Sequence, residues 1–292
     1  MFIKLGYRKI ILVASSLSAA LVLGACGGGG GGGDANQGAG GSGKFIDSAV
    51  EGLTYVSGAT TAKTDAAGTF NNGDSKEVTF KVGDVVLGKL SPKGIVTPVD
   101  LVAGATDENN DTVANIAKFL QTIDDDNNPS NGIKISAAAD AAAKGKTVNF
   151  AQTTAAFDAD SSVQSALAAI TAATAAGAHS PVTTANAKSH LKASLLARYA
   201  GTYSGTYSGS SSGTYTVTVN NNGTISGSGK EGNDGFSITG SIKSNGSATL
   251  ASGIAGGATF SGTINPDTGA LSGTWVSASD ASFKGTFTGA KQ

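Results

Sequence analysis

The C-terminal third of the chain repeats one short pattern: an apolar residue, a polar one, a glycine, a polar one and a second apolar residue. It occurs at Tyr203, Gly205 and Tyr207, at Ile238, Gly240 and Ile242, and at Phe260, Gly262 and Ile264. It recurs at Leu271, Gly273 and Trp275, and at Phe283, Gly285 and Phe287. In an extended chain alternate residues share a face, so rings and glycines line one side and Ser, Thr or Lys the other. NNNG, EGNDG, SNG and PDTG interrupt the pattern as turns. The spacing predicts about eight strands over residues 199–292, an antiparallel meander closed as a small barrel or sandwich. Glycine on the inward face permits sharp coiling and a narrow interior. That favours a core filled by the chain's own rings over a ligand cavity. The Ser/Thr/Lys outward face argues against a lipid-facing barrel.

Upstream the period changes. Val78 to Val82 alternates strictly, as a half-buried strand does, Gly83-Asp84 turns, and Val85 to Gly88 returns. TDAAGTF (64–70) is a turn into a strand with Gly68 at the bend, so residues 44–102 read as a small β-rich unit. Helical spacing follows. Val113, Ile116, Leu120 and Ile123 share one face of a helix capped by Asp111, which ends at Pro129 and Gly132. A second helix starts near Ser161 with Val163, Leu167 and Ile170 in line and Gly177 as its C-cap. A third starts at Thr183 or Thr184, with Ala187, Leu191 and Leu195 in line and Lys192 and Arg198 suited to its C-terminal end.

At the N-terminus, Lys4, Arg8 and Lys9 precede the uncharged run IILVASSLSAALVL. A run of about 14 residues is the length of a signal-peptide h-region and short of the ~20 that span a membrane. Leu23, Gly24, Ala25 and Cys26 then resemble the lipobox of bacterial lipoproteins. The resemblance implies cleavage before Cys26 and lipid attachment to its thiol, with Leu23, Gly24 and Ala25 as the recognition residues. Stable anchoring follows from burying many methylenes. Gly27 stands where Asp would signal inner-membrane retention in such proteins, which points to the outer membrane. From Gly27 to Gly43 no apolar residue exceeds alanine in size, so the segment reads as a flexible tether spanning roughly 20–25 Å.

Composition narrows the function classes. Of the 292 residues, 14% are charged and the formal net charge is −1, which gives no electrostatic case for nucleic acid binding, since that needs a basic face. A single cysteine excludes an intramolecular disulfide, and two histidines leave little imidazole chemistry. Gly209 to Gly213 matches G-x-S-x-G without the strand and helix of a nucleophile elbow, and Gly227 to Gly232 matches G-x-G-x-x-G without a βαβ unit. Gly38 to Lys44 resembles a P-loop, but Phe45 replaces the hydroxyl residue. His179 lies in a loop before Pro181. His190 reads as a half-buried or surface structural residue. It becomes a candidate base only if a Ser and an Asp stand within hydrogen-bond reach. Asp124, Asp126 and Asn128 allow two readings, calcium ligands or a solvated helix end with Asx turns. The EF-hand pattern fails at Pro129 and Ile135, and the second reading is favoured.

FIDSAVEGLTYVSG, TDAAGTF, VTFKVGDVVLG, IVTPVDLV, LQTIDDDNNPSNGI and AKSHL, in this order, resemble a module at the N-termini of many proteobacterial secreted proteins and lipoproteins. Members of that family usually carry Gly where Asn127 stands. The resemblance implies location and architecture, not an activity.

The expected fold is thus α+β and multidomain. A signal peptide (1–25) precedes the lipidated Cys26 and tether (26–43), a mixed β/α module (44–198) and an antiparallel β-barrel-like domain (199–292). The expected function is that of a lipid-anchored outer-membrane lipoprotein, facing the periplasm or the cell surface. Its role is non-enzymatic: adhesion, envelope structure, or binding of a protein or glycan partner. The alternative is a small-ligand-binding barrel, and a secreted hydrolase ranks last.

Overall fold

The computed structural model describes residues 41–253 and 257–292. The signal peptide, Leu23, Gly24, Ala25, Cys26, Gly27 and the tether as far as residue 40 lie outside the described residues. The fold is α+β, with a mixed module followed by a closed antiparallel barrel.

The module opens with β1 (Gly41–Phe45), β2 (Val50–Glu51), β3 (Thr54–Ser57) and β4 (Thr60–Lys63). Then come β5 (Thr69–Gly73), β6 (Val78–Val82), β7 (Val85–Leu90) and β8 (Ile95–Val96). β1 lies between β5, antiparallel, and β8, parallel; β4, β3, β6 and β7 form a second sheet in that order. The alternation of Val78, Phe80 and Val82 is borne out, since all three are buried and the residues between are half-buried. β1 begins inside the expected tether. Gly43 is glycine for packing rather than flexibility, because a Cβ there would stand 2.5 Å from Cζ of Phe70.

Helix α1 (Asp111–Thr122) is capped by Asn110, whose side chain accepts from Val113 N–H at 3.2 Å. The expected cap, Asp111, is instead the first helical residue, where its charge suits the positive end of the helix. β9 (Ile133–Lys134) pairs in parallel with β2. Two six-residue helices, α2 (Ala137–Ala142) and α3 (Thr154–Ala159), carry no long apolar stripe and were not anticipated. Helix α4 (Ser161–Thr171) stops well before Gly177. Asp125 holds the following turn, its carbonyl accepting from Ala176 N–H and its carboxylate from Ala175 N–H. Helix α5 (Thr184–Ala197), capped by Thr183, matches the prediction and buries Ala187, Leu191 and Leu195. The module core joins both sheets to α1 and α4 around Phe45, Phe70 and Phe80, whose rings meet edge-on at 4.9 and 5.1 Å.

The barrel is built from β10 (Gly201–Gly209), β11 (Gly213–Val219), β12 (Thr224–Glu231) and β13 (Asp234–Ile242). It continues with β14 (Ser247–Ser252), β15 (Ala258–Ile264), β16 (Ala270–Ser277) and β17 (Lys284–Lys291). Each strand pairs antiparallel with the next, and β17 returns to β10 with Tyr207 opposite Phe287, so the sheet has no free edge. Rings and aliphatic groups fill the interior, while Thr214, Thr216 and Thr218 stand outside. Leu196 and Tyr199, from the end of α5 and just after it, cover one end of the barrel. Tyr199 donates its hydroxyl to Ser244 O at 3.2 Å, and Tyr203 donates to Tyr199 O at 2.8 Å. Module and barrel belong to one compact unit. No helix among the described residues is long and apolar enough to cross a membrane.

Candidate functional site

Three places concentrate chemistry. The first is the two-residue turn between Ile46 and Ala49. Its second residue, Ser48, has φ 58°. That left-handed conformation costs a side chain roughly 1–2 kcal/mol, and Ser48 and Asn127 are the non-glycine residues among those described that adopt it. At Asn127 (φ 56°) the conformation accounts for a position that suits glycine. At Ser48 the side chain is in use. Its Oγ lies 3.0 Å from Nε2 of His190, and its N–H donates to Ser194 Oγ at 3.0 Å, both from α5. The adjacent Asp47 is fully buried. One of its oxygens accepts from Gln121 Nε2 at 2.9 Å; the other has no hydrogen bond and faces His190 Nε2 at 3.8 Å.

Burial pushes the Asp47 carboxyl up to about 7, against the pull of the Gln121 bond. Burial also holds His190 below its ordinary value, partly offset by a bond to the Asp47 backbone. The pair therefore drifts toward two neutral groups rather than an ion pair. A serine, a histidine and a carboxylate do meet here, which sequence reasoning missed. His190 is half-buried, as expected, but its partners are distant only in sequence. The geometry departs from a hydrolase triad in one respect. There the carboxylate holds the ring nitrogen opposite the one that faces serine. Here Asp47 and Ser48 face the same nitrogen.

The second place is the acidic turn after α1. Asp124 Oδ1 accepts from Lys134 N–H and Oδ2 from Asn128 N–H, both at 2.8 Å. Asp126 accepts from Asn128 N–H at 3.0 Å and from Asn131 Nδ2 at 2.8 Å. Burial raises Asp124 to about 6, while the Asn131 side-chain bond, foremost, lowers Asp126. Asp124, Asp126 and Asn128 are together, but Asn128 turns its backbone N–H to the carboxylates. The oxygens bind the turn itself. No group of three or more His, Cys, Asp or Glu is placed to hold a metal ion among the described residues.

The third comprises the clefts. A groove of about 540 Å³ runs beside α1, α3 and α4, with Lys118 buried in its wall and paired to Asp158 at 2.5 Å. A smaller cleft of about 90 Å³ lies at the barrel end opposite Tyr199. Tyr207, Phe236, Phe260, Trp275 and Phe283 line it, with Glu231 accepting a hydrogen bond from Ser211. Trp275 stands 6.1 Å from Tyr207, 6.4 Å from Phe260 and 5.7 Å from Phe283 between ring centroids. Its Nε1 donates to Ser208 O at 3.1 Å. Ser48 lines neither of these clefts.

The glycine-rich matches fall in plain structural settings. Gly209 to Gly213 is the hairpin between β10 and β11, and Gly227 to Gly232 runs along β12 into a turn. Searches against protein-family models and against curated proteins give no match to this chain. A closed eight-stranded barrel is compatible with small-ligand binding.

Proposed function

We propose that this chain is a lipid-anchored lipoprotein of the bacterial outer membrane with a non-enzymatic binding role. Its anchor is the lipid on Cys26, and its partner is a protein or glycan rather than nucleic acid. The observation that carries the binding role is the barrel's asymmetry. Leu196 and Tyr199 cover one end, and the other opens as a cleft where Phe283, 42% exposed, stands over the buried rings of Tyr207, Phe260 and Trp275. The anchor rests on the order of charged segment, apolar run, Leu23, Gly24, Ala25 and Cys26. Cys26→Ser should move the protein from the membrane fraction to the soluble fraction. A variant that stays membrane-bound overturns the anchor. Protease shaving of whole cells then separates surface display from the periplasmic face.

The small-ligand reading is favoured at one spot. The barrel interior is filled, so the ligand belongs at the open mouth beside Trp275. Pockets for drug-sized ligands start near ~300 Å³. The mouth, at about 90 Å³, admits one small group.

A further inference from the structure

We propose that the open mouth of the barrel binds a small organic cation of the quaternary ammonium class. The inference deepens the ligand reading of the mouth and rests on it; lipid anchoring plays no part. Two features of the mouth converge on that chemistry. The first is its aromatic wall: Tyr207, Phe236, Phe260, Trp275 and Phe283, with Tyr207 edge-on to Phe236 at 6.2 Å and to Phe260 at 6.2 Å. Aromatic faces attract a cation through their quadrupole, most strongly where water is excluded, and the exposed Phe283 and half-buried Phe236 stand at the mouth above the packed rings of Tyr207, Phe260 and Trp275.

The second is its charge. Glu231 is the only charged side chain among the described residues that line the cleft. It follows Gly227 and Gly229 at two-residue intervals along β12, so it belongs to the inward row, at the rim. The neighbouring Lys230 and Lys284 alternate with the inward residues Gly229 and Gly285 and belong to the outward rows. The mouth therefore joins a negative charge to aromatic surface, with no cation among the described residues of its lining.

Volume and anchoring complete the case. About 90 Å³ suits a single alkylated ammonium head and leaves no space for a drug-sized ligand. The hydrogen bond from Trp275 Nε1 to Ser208 O and the bond from Ser211 to Glu231 fix two of the recognition groups before binding. Pre-set groups lower the ordering cost of association.

Trp275 is the chain's single tryptophan, so its fluorescence reports on the mouth alone. The full chain in detergent is titrated with choline, with tetramethylammonium, and with 3,3-dimethylbutan-1-ol, the uncharged counterpart of choline, at matched ionic strength. Calorimetry repeats each titration, so a silent fluorophore does not decide the outcome. The expected result is saturable binding of both cations and at least tenfold weaker binding of the alcohol. Glu231→Gln and Phe283→Ala should each weaken the cations about tenfold while the far-ultraviolet circular dichroism stays unchanged. Equal binding of choline and the alcohol, undiminished binding by Glu231→Gln, or saturation by a methyl glycoside but not by the cations would each overturn the proposal. None of these outcomes bears on Cys26 or on membrane anchoring.

Discussion

Ser48 Oγ stands 3.0 Å from His190 Nε2, joining a strained turn to a helix 142 residues away in sequence. Two physical roles share that distance, a latch and a nucleophile–base pair. The surroundings favour the latch. Asp47 faces the nitrogen already turned to serine, and neither the groove nor the barrel mouth reaches Ser48. The protein should therefore stay unlabelled by a fluorophosphonate probe. Labelling that disappears in Ser48→Ala would restore the hydrolase reading.

The same turn makes a prediction about stability. Ser48→Ala keeps the strain of a positive φ and loses the bond to His190, which should cost about 1–2 kcal/mol. Ser48→Gly loses the same bond but removes the strain, so its net change should stay within about 1 kcal/mol. Urea denaturation of the two variants checks the order. A glycine variant less stable than the alanine variant would show that strain is not the controlling quantity.

Asp47 sets a pH dependence of definite sign. Its folded carboxyl is raised to about 7, so the folded protein keeps a proton that the unfolded chain gives up near pH ~4. The unfolded state then binds fewer protons, and stability falls as pH rises through 7. Asp124, raised to about 6, acts in the same direction at lower pH. His190, lowered by burial, acts in the opposite direction, below its ordinary value near 6.5. Asp65, Asp126, Asp140, Asp160 and Asp280 are lowered, and their contribution is lost only on acidification through the carboxylate range. Across pH 6.5 to 8 Asp47 gives the larger change, and His190, whose unfolded form still loses its proton there, opposes it. The urea midpoint should fall across the window by an amount worth less than about 1 kcal/mol, and Asp47→Asn should remove the fall. An unchanged slope in the variant would assign the titration elsewhere.

How much of this was legible follows from the range of each interaction. The barrel strands were readable because period-two alternation is local, and Tyr203, Gly205 and Tyr207 carry it within one strand. Closure was expected as one of two arrangements, barrel or sandwich, and the pairing of Tyr207 with Phe287, which joins opposite ends of the domain, decides for the barrel. α1 and α5 announce themselves by apolar spacing, whereas α2 and α3 are too short to show a stripe. Gly41 to Gly43 looks like tether because strand character there is supplied by neighbours such as Phe70. The acidic cluster was visible as a cluster, but the bonds it accepts from Asn128 and Lys134 N–H were not, because they depend on the folded path of the turn. His190 carried no sign of its partners.

The barrel glycines make the strongest mutational prediction. A Cβ on Gly205 would sit 2.6 Å from Gly289 Cα and 2.7 Å from Tyr215 Oη; one on Gly285 would sit 2.6 Å from Trp275 Nε1. Neighbouring backbone cannot yield as a flexible side chain can. Gly205→Ala and Gly285→Ala should each cost about 3 kcal/mol. Gly232 is the control: no atom lies within 4 Å of its Cβ position and only its φ of 58° opposes a side chain, so Gly232→Ala should cost about 1 kcal/mol. Gly285→Ala should also shift Trp275 emission, because the added methyl crowds the indole nitrogen. Equal costs at all three positions would mean that the barrel is looser than its packing.

The junction between module and barrel supplies a last comparison, of packing against charge. Arg198 donates to Asp267 at 2.9 Å, and Lys93 bridges Asp100 at 2.5 Å and Asp267 at 3.7 Å. Asp267 is 46% exposed, so solvent screens the pair, but the Arg198 side chain is only 10% exposed and its truncation also loses packing, so Arg198→Ala should cost about 1–2 kcal/mol. Leu196 is buried under the covered barrel end, beside Gly223, where truncation leaves a cavity. Leu196→Ala should cost about 2–4 kcal/mol. Ser244→Ala removes the hydroxyl that donates to the buried Glu108 at 2.5 Å, and should cost about 1–3 kcal/mol by leaving that carboxylate short of a partner. Limited proteolysis near residues 198–201 provides a second readout. Leu196→Ala should expose that segment to cleavage and Arg198→Ala should not. The reverse order would mean that charge, rather than the plug of Leu196 and Tyr199, holds the two parts together.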